Sequence, residues 1–167
     1  LNQEAGFKMP EHINKRNVVK VATEMLVCHK LRLLSGQIGT PMPDGGYWPR
    51  PVNGFTRYWQ DLVMTDAKTV IISSGHRDFI ERFFDFYGLH LPDAMLTDEE
   101  TRQLKSPLYK PDEHLVRMAL DLLEVDTRPD RRTLYGDDPN KDGVLADRSQ
   151  CHFVLIDPAG RHVGHES

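Results

Sequence analysis

The sequence predicts an α/β fold, a parallel β-sheet with helices on both of its faces. The first observation is that short apolar runs at residues 69–73 and 153–156, rich in β-branched side chains, are typical of strands buried in a parallel sheet. The second is that segments with the apolar spacing of helices lie between such runs. Strands that alternate with helices imply parallel pairing through crossover connections.

Composition limits the class of protein. The chain has 167 residues, 39% of them hydrophobic and 28% charged, which suits one globular domain. Its net charge of −4 argues against broad binding to a nucleic-acid backbone, and no apolar run reaches the roughly 20 residues that cross a membrane. Cys28 and Cys151 match neither a disulfide framework nor a zinc-ligand spacing. We therefore expect reduced thiols, in the cytoplasm or in another reducing compartment such as an organelle matrix.

The N-terminal part is predicted to be a helix followed by a small cap-like element. Residues 14–34 have helical apolar spacing, with Val18, Met25 and Leu26 on one stripe. Gly and Pro residues then interrupt regular structure up to Pro51, in a segment that carries Tyr47 and Trp48. These aromatic side chains suit either stacking on a planar ligand or packing within the loop. We divide the single compact domain into this N-terminal segment and the α/β core, residues 1–54 and 55–167.

The elements of the core follow in order. A helix is predicted at residues 55–63, then the strand at 69–73, then a helix over about 79–87 that Gly88 should end. The apolar stripe of the next helix includes Leu115, Ala119 and Leu122. The remaining elements are a helix at 112–124, a strand at 133–135, a helix that begins near Pro139 with Val144 and Leu145 facing inward, and a buried strand at 153–156.

Polar residues follow the strand at 69–73, where open α/β sheets bind their ligands. Ser73, Ser74 and Gly75 end this strand and open a helix, so hydroxyl and backbone N–H groups would suit a phosphate there. The alternative, which the serines alone favour, is an ordinary helix cap. His76 comes next and would contact a substrate phosphate or base, or else serve in local capping.

A second polar segment follows the strand at 133–135. Asp137, Asp138 and Asp142, here called the acidic turn, place three carboxylates within six residues. Such a cluster repels itself unless a cation neutralises it, and oxygen ligands favour Mg²⁺. The alternative is a solvated loop or an N-cap. Lys110 precedes a predicted helix, where the helix dipole disfavours a cation. Its position suggests an anionic partner, either the acidic turn or a substrate phosphate, unless it is a surface lysine.

In order and spacing, these segments resemble motifs two, three and four of the haloacid dehalogenase (HAD) superfamily. The motif segments are residues 69–75, 110–112 and 135–142, and the resemblance runs from about residue 47 to residue 158. It implies a Rossmann-like fold with a small helical or loop cap near the N-terminus. It also implies Mg²⁺-dependent hydrolysis of a phosphomonoester, which would be a phosphorylated small molecule or a nucleotide.

The resemblance also implies roles for individual residues. Ser73 would donate a hydrogen bond to the transferring phosphoryl group, and Lys110 would stabilise its negative charge. Substrate would also contact Ser74, Gly75 and His76. The metal site would consist of Asp137 as the Mg²⁺ ligand, Asp142 as a residue that orients the metal shell, and Asp138 as an alternative ligand. These roles agree with the chemistry of phosphoryl transfer, which is mostly positioning and charge stabilisation.

The first motif of the family, Asp-x-Asp, supplies the nucleophile, and it does not occur in residues 1–68. One interpretation is that the strand carrying this motif lies upstream of Leu1 and that the enzyme is active. The other is a catalytically inactive HAD-like subunit that binds or supports a larger protein or ribonucleoprotein assembly. Retention of Ser73, Lys110 and the acidic turn favours the first. Phosphomutase or dehalogenase chemistry is a third interpretation, and the acidic turn argues against dehalogenation.

Overall fold

A computed structural model describes residues 12–15, 18–39, 41 and 49–157 of the chain. The chain divides into two compact units, one comprising Leu1–Gln60 and His76–Leu91, the other Asp61–Gly75 and Pro92–Ser167. Tyr47 and Trp48, the aromatic residues of the predicted cap, lie outside the described residues. None of the described helices is long and apolar enough to cross a membrane.

The first unit is helical, and an aromatic cluster forms its core. Trp59 is 7% exposed, and its ring meets that of Phe84 edge-on with 5.3 Å between centroids. The Trp59 indole Nε1 donates a hydrogen bond to the carbonyl of His90 at 2.8 Å, which satisfies the polar atom of this buried side chain. The helices are α1 (Val18–Leu34), α2 (Phe55–Val63) and α3 (Arg77–Phe86). The last three residues of α2, after Gln60, are assigned to the second unit.

The first helix buries a different face from the one that the sequence predicts. Val18, Met25 and Leu26 are 44%, 44% and 47% exposed, whereas Val21 and Leu34 are buried. Apolar residues occur on all sides of α1, so their spacing alone does not select one face. The contacts of α1 with α3 make that selection instead.

Gly88 ends α3, as predicted. It adopts φ = 61°, in the left-handed region that glycine enters without steric conflict. The next amide, that of Leu89, donates back to the carbonyl of Phe84 at 2.8 Å, a pattern that closes the helix end. The short sequence Tyr-Gly after an aromatic run was therefore enough to locate this boundary.

The second unit contains two small parallel sheets. β1 (Val70–Ser73) pairs with β2 (Ala94–Thr97), with Val70 opposite Ala94, and β3 (Thr133–Gly136) pairs with β4 (His152–Leu155), with Thr133 opposite His152. Within the described residues no strand pairing joins the two sheets, so they do not form the one continuous sheet that the sequence predicts. None of the described segments forms a strand that would connect the two sheets.

Burial of the strands differs from the prediction in two ways. The residues of β1 are all half-buried, and in β4 exposed residues alternate with half-buried ones, so neither strand is fully buried as predicted. Val154 of β4 lies opposite Tyr135 of β3, and both side chains are exposed. The most buried strand is β2, which the sequence analysis did not predict. Met95, Leu96 and Thr97 are its buried residues.

The helices of the second unit cover the apolar residues of the strands. Contacts of α5 (His114–Leu122) reach both β1 and β2, and those of α6 (Val144–Arg148) reach β4. Leu145 is completely buried, which confirms its predicted inward orientation. On α5 the predicted apolar stripe was wrong in part, because Leu122, a member of that stripe, is 52% exposed, whereas Val116, which was not assigned to it, is buried. The unit also contains α4 (Asp98–Thr101), and a π-helical turn, Pro139–Gly143, leads into α6.

Candidate functional site

Lys110 and the acidic turn meet in the second unit. The Lys110 Nζ atom lies 2.7 Å from Oδ1 of Asp142, and the two side chains are 22% and 7% exposed. Of the two anionic partners expected for Lys110, the structure shows the acidic turn. Two segments that are 32 residues apart in sequence are thereby joined through one partly buried ion pair.

The backbone around Asp142 holds this carboxylate in place. Its second oxygen, Oδ2, accepts a hydrogen bond from the Asp138 amide at 3.2 Å, and its own amide donates to the Asp138 carbonyl at 2.7 Å. The Asp142 side chain also lies directly against Gly136, the last residue of β3. A Cβ atom at position 136 would overlap the Asp142 side chain, so glycine is required by close approach at this strand end.

The two other carboxylates of the acidic turn are more accessible. Asp138 occupies the N-cap position of the π-helical turn, where its Oδ1 accepts a hydrogen bond from the Asn140 amide at 2.9 Å. Partial desolvation acts to raise the pKa of Asp138, but hydrogen bonds from Asn140 and Lys141 prevail and lower it. The N-cap expected as an alternative for this segment is therefore found at Asp138. Asp137 is exposed.

The serine segment after β1 forms a local turn. The hydroxyl oxygen of Ser73 accepts a hydrogen bond from the Gly75 amide at 2.9 Å, so its O–H group is still available to donate. Ser74 is exposed. Ser73 and Ser74 make no hydrogen bond with Lys110 or the acidic turn in the part of the chain that the structure describes. His76 stands at the N-cap of α3 with extended backbone and accepts from the Ile80 amide through its carbonyl.

The acidic turn has the donor type that Mg²⁺ prefers, but its arrangement differs from a metal site. Carboxylate oxygens are suitable ligands for this cation. Among the described residues, however, no three His, Cys, Asp or Glu side chains are grouped so that they could hold a metal ion. Both oxygens of Asp142 already face donors, Lys110 Nζ and the Asp138 amide. In this arrangement the lysine ammonium supplies the positive charge beside Asp142.

A carboxylate that the sequence analysis did not single out clamps the start of β1. Oδ2 of Asp93 accepts hydrogen bonds from the Thr69 amide at 2.8 Å and from the Thr69 hydroxyl at 2.9 Å. Its Oδ1 lies 3.0 Å from the Nζ of Lys68. These contacts, the Thr69 amide first, lower the pKa of Asp93 to about 2. The clamp stands next to the Val70–Ala94 pair and helps to set the register of β1 on β2.

No protein-family model matches this chain, and no curated protein matches it.

Proposed function

We propose that this chain is a Rossmann-like HAD-type domain of a Mg²⁺-dependent phosphomonoester hydrolase. The observation that supports this most directly is the ion pair of 2.7 Å between Lys110 and Asp142. It brings together the two segments that resemble motifs three and four, which the sequence places far apart. Since phosphoryl transfer depends mostly on positioning and charge stabilisation, a lysine held at a fixed point beside carboxylates is the kind of group that such a site needs.

Each residue of the proposed site has a defined task. The Ser73 O–H donates a hydrogen bond to a phosphoryl oxygen of the substrate. The Lys110 ammonium, tethered by Asp142, directs its remaining N–H groups toward the negative charge of the phosphate. Asp137, with Asp138 as the alternative ligand, would hold Mg²⁺, and Asp142 would orient the metal shell; the cation, when bound, would neutralise phosphate charge. The attacking carboxylate comes from outside these 167 residues, which contain no Asp-x-Asp sequence.

Ser74, Gly75 and His76 complete the proposal as substrate contacts. They follow the strand that ends at Ser73, and their exposed or half-buried positions are compatible with that role. The substrate class is a phosphorylated small molecule or a nucleotide. Since Cys28 and Cys151 match neither a disulfide framework nor a zinc-ligand spacing, we place the protein in a reducing compartment, the cytoplasm or an organelle matrix.

The test is an assay of the natural gene product with p-nitrophenyl phosphate, with Mg²⁺ and with a chelator. We expect turnover that requires Mg²⁺. Replacement of Lys110 by Met should lower kcat/KM about 100-fold or more, the typical loss when one charge-stabilising donor is removed. The matched control is Lys105→Met, an exposed lysine in the same connecting segment, which should leave kcat/KM unchanged. Absence of Mg²⁺-dependent turnover from the gene product would contradict the proposal.

A second function is favoured by one specific observation. The Lys110 ammonium already neutralises Asp142, whose second oxygen accepts from the Asp138 amide, so this carboxylate is satisfied without a metal. This arrangement suits a catalytically inactive HAD-like module that supports a larger protein or ribonucleoprotein assembly. For this function we expect the tagged protein, isolated from its native source, to copurify with a large complex and to lack phosphatase activity. A solitary monomer with Mg²⁺-dependent turnover would exclude it.

A further inference from the structure

Five apolar residues of α1, here called the α1 stripe, face solvent. Val18, Ala22 and Met25 follow one another at intervals of four and three residues, so they lie in one row along the helix, and Val19 and Leu26 widen that row. Ala22 is exposed, and the four larger side chains are between 44% and 65% exposed. The helix is at the same time fixed in the first unit by its contacts with α3. A row of exposed apolar side chains on a packed helix indicates an interaction surface.

The charged residues that border the α1 stripe are cations. Lys30 comes four residues after Leu26, and Arg32 comes seven residues after Met25, so they flank the stripe on its two sides near the C-terminal end of the helix. The Lys30 Nζ atom stands 5.2 Å from the centre of the Phe79 ring. This contact holds the ammonium in place and leaves its positive charge. The α1 stripe is therefore an apolar surface with positive charge at one end.

The acidic residue of α1 lies away from the stripe. Glu24 stands on the other side of the helix, where its Oε1 atom is 3.8 Å from the Nζ of Lys20, one turn earlier. No other residue of α1 is acidic, so the borders of the stripe are positive on a chain whose net charge is −4. A partner that recognises the stripe itself and a partner attracted by the net charge of the chain would carry opposite charges.

We propose that the α1 stripe binds an amphipathic helix of a partner protein, with acidic residues beside the apolar face of that helix. The apolar face packs on Met25 and Leu26, and the acidic side chains lie beside Lys30 and Arg32. Ala22, in the middle of the stripe, is small and lets the partner helix approach closely. This interaction is independent of the proposed phosphatase function.

Two other occupants fit the α1 stripe less well. A second copy of α1 in parallel orientation would set Lys30 and Arg32 against the same two cations. In antiparallel orientation it would set them against the beginning of the helix, where Lys15 stands and the first turn has no acidic residue. Helices that lie in a membrane surface typically carry Trp or Phe on their apolar face, and the sequence of α1 has neither.

The first test measures the binding of two labelled synthetic peptides to the purified chain by fluorescence anisotropy. Both have about 20 residues, enough to form a helix, and a leucine stripe; one carries glutamate along both borders of the stripe and the other carries lysine there. We expect saturable binding of the glutamate peptide and at least about tenfold weaker binding of the lysine peptide. Equal binding, or the reverse order that the net charge of −4 would give, would overturn the proposal.

The second test uses the double variant Met25→Gln/Leu26→Gln, with Met64→Gln as the matched control because Met64 is 85% exposed and lies outside α1. Glutamine is nearly as good a helix former as methionine and leucine, so the melting temperature should not change. The double variant should bind the glutamate peptide at least about tenfold more weakly than the wild type, and the control should bind it equally well. Unchanged affinity in the double variant would contradict the assigned role of the stripe.

The third test separates the charge of the stripe from its apolar surface. Arg32→Gln should weaken binding of the glutamate peptide about threefold and should not weaken binding of the lysine peptide. Sedimentation of the chain alone, and with vesicles of phosphatidylserine and phosphatidylcholine, tests the two other occupants. A dimer that the double variant abolishes, binding to the vesicles, or an Arg32→Gln variant with unchanged affinity for the glutamate peptide would each overturn the proposal.

Discussion

Removal of the Lys110 ammonium should destabilise the protein strongly. In Lys110→Met the carboxylate of Asp142, 7% exposed, would lose the cation at 2.7 Å. Breaking a buried ion pair by removing one partner costs about 3–5 kcal/mol, because an uncompensated charge is left behind. Since Lys110 is itself 22% exposed, water can partly replace its ammonium, and we expect a loss near the lower end, about 3 kcal/mol.

Asp142→Asn should cost less, about 1–2 kcal/mol, because its amide oxygen can still accept from Asp138 and the Lys110 ammonium can reach solvent. The assay is urea unfolding of both single variants and of the double variant, combined as a double-mutant cycle. We expect a coupling energy of about 2 kcal/mol and a double variant no less stable than Lys110→Met. The control Lys105→Met should stay within about 0.5 kcal/mol of wild type. Additive losses, or a Lys110→Met variant as stable as this control, would refute the assigned role of the pair.

Two further predictions concern Asp93 and Gly136. The Asp93 pKa is lowered from 3.8 to about 2, chiefly by the Thr69 amide, so its stabilisation is complete above about pH 4 and is lost as the pH falls toward 2. The Asp93 side chain is 36% exposed, and after allowance for solvent screening Asp93→Asn should remove about 1 kcal/mol at pH 7 and nothing near pH 2, measured by urea unfolding across pH. Gly136→Ala should cost about 3 kcal/mol in thermal unfolding, because its Cβ overlaps the Asp142 side chain. Gly143→Ala, whose Cβ would meet its nearest neighbour at 3.4 Å, is the control with the smaller loss.

Every helix except the four-residue α4 and every strand except β2 could be predicted, because their signals are local. The apolar spacing of α5 and the glycine that ends α3 depend on neighbouring residues alone. The strand β2 (Ala94–Thr97) was missed because Ala, Met and Leu, its first three residues, favour helices, and the strand leads directly into three acidic residues. The prediction of the buried face of α1 was wrong because apolar residues lie on all sides of this helix. Its contact with α3 decides which side is buried, and that contact is not local in sequence.

The sequence predicts the charged groups of the candidate site better than it predicts which of these groups pair with each other. Three carboxylates in the acidic turn require a counter-charge, and a lysine at a helix entrance requires an anion. Sequence reasoning raised the possibility that Lys110 and the acidic turn satisfy each other. It could not choose between that pairing, Mg²⁺ and a substrate phosphate, because the choice depends on the distance between residues far apart in sequence. The clamp at Asp93 had no such signal, since a lone aspartate after a proline is typical of many turns.

The same ion pair separates the two proposed functions. An ammonium on Oδ1 of Asp142 and a hydrogen bond on Oδ2 leave this carboxylate satisfied without a metal, so Mg²⁺ must compete with Lys110 for it. If the protein is a phosphatase, Mg²⁺ has sites on the acidic turn, and it should restore part of the stability that Lys110→Met loses, because it supplies the missing positive charge. If the protein is an inactive module, the Lys110 ammonium is the lasting counter-charge of Asp142. Mg²⁺ should then raise the melting temperature of neither the wild type nor the variant, and sodium chloride at the same ionic strength controls for general screening.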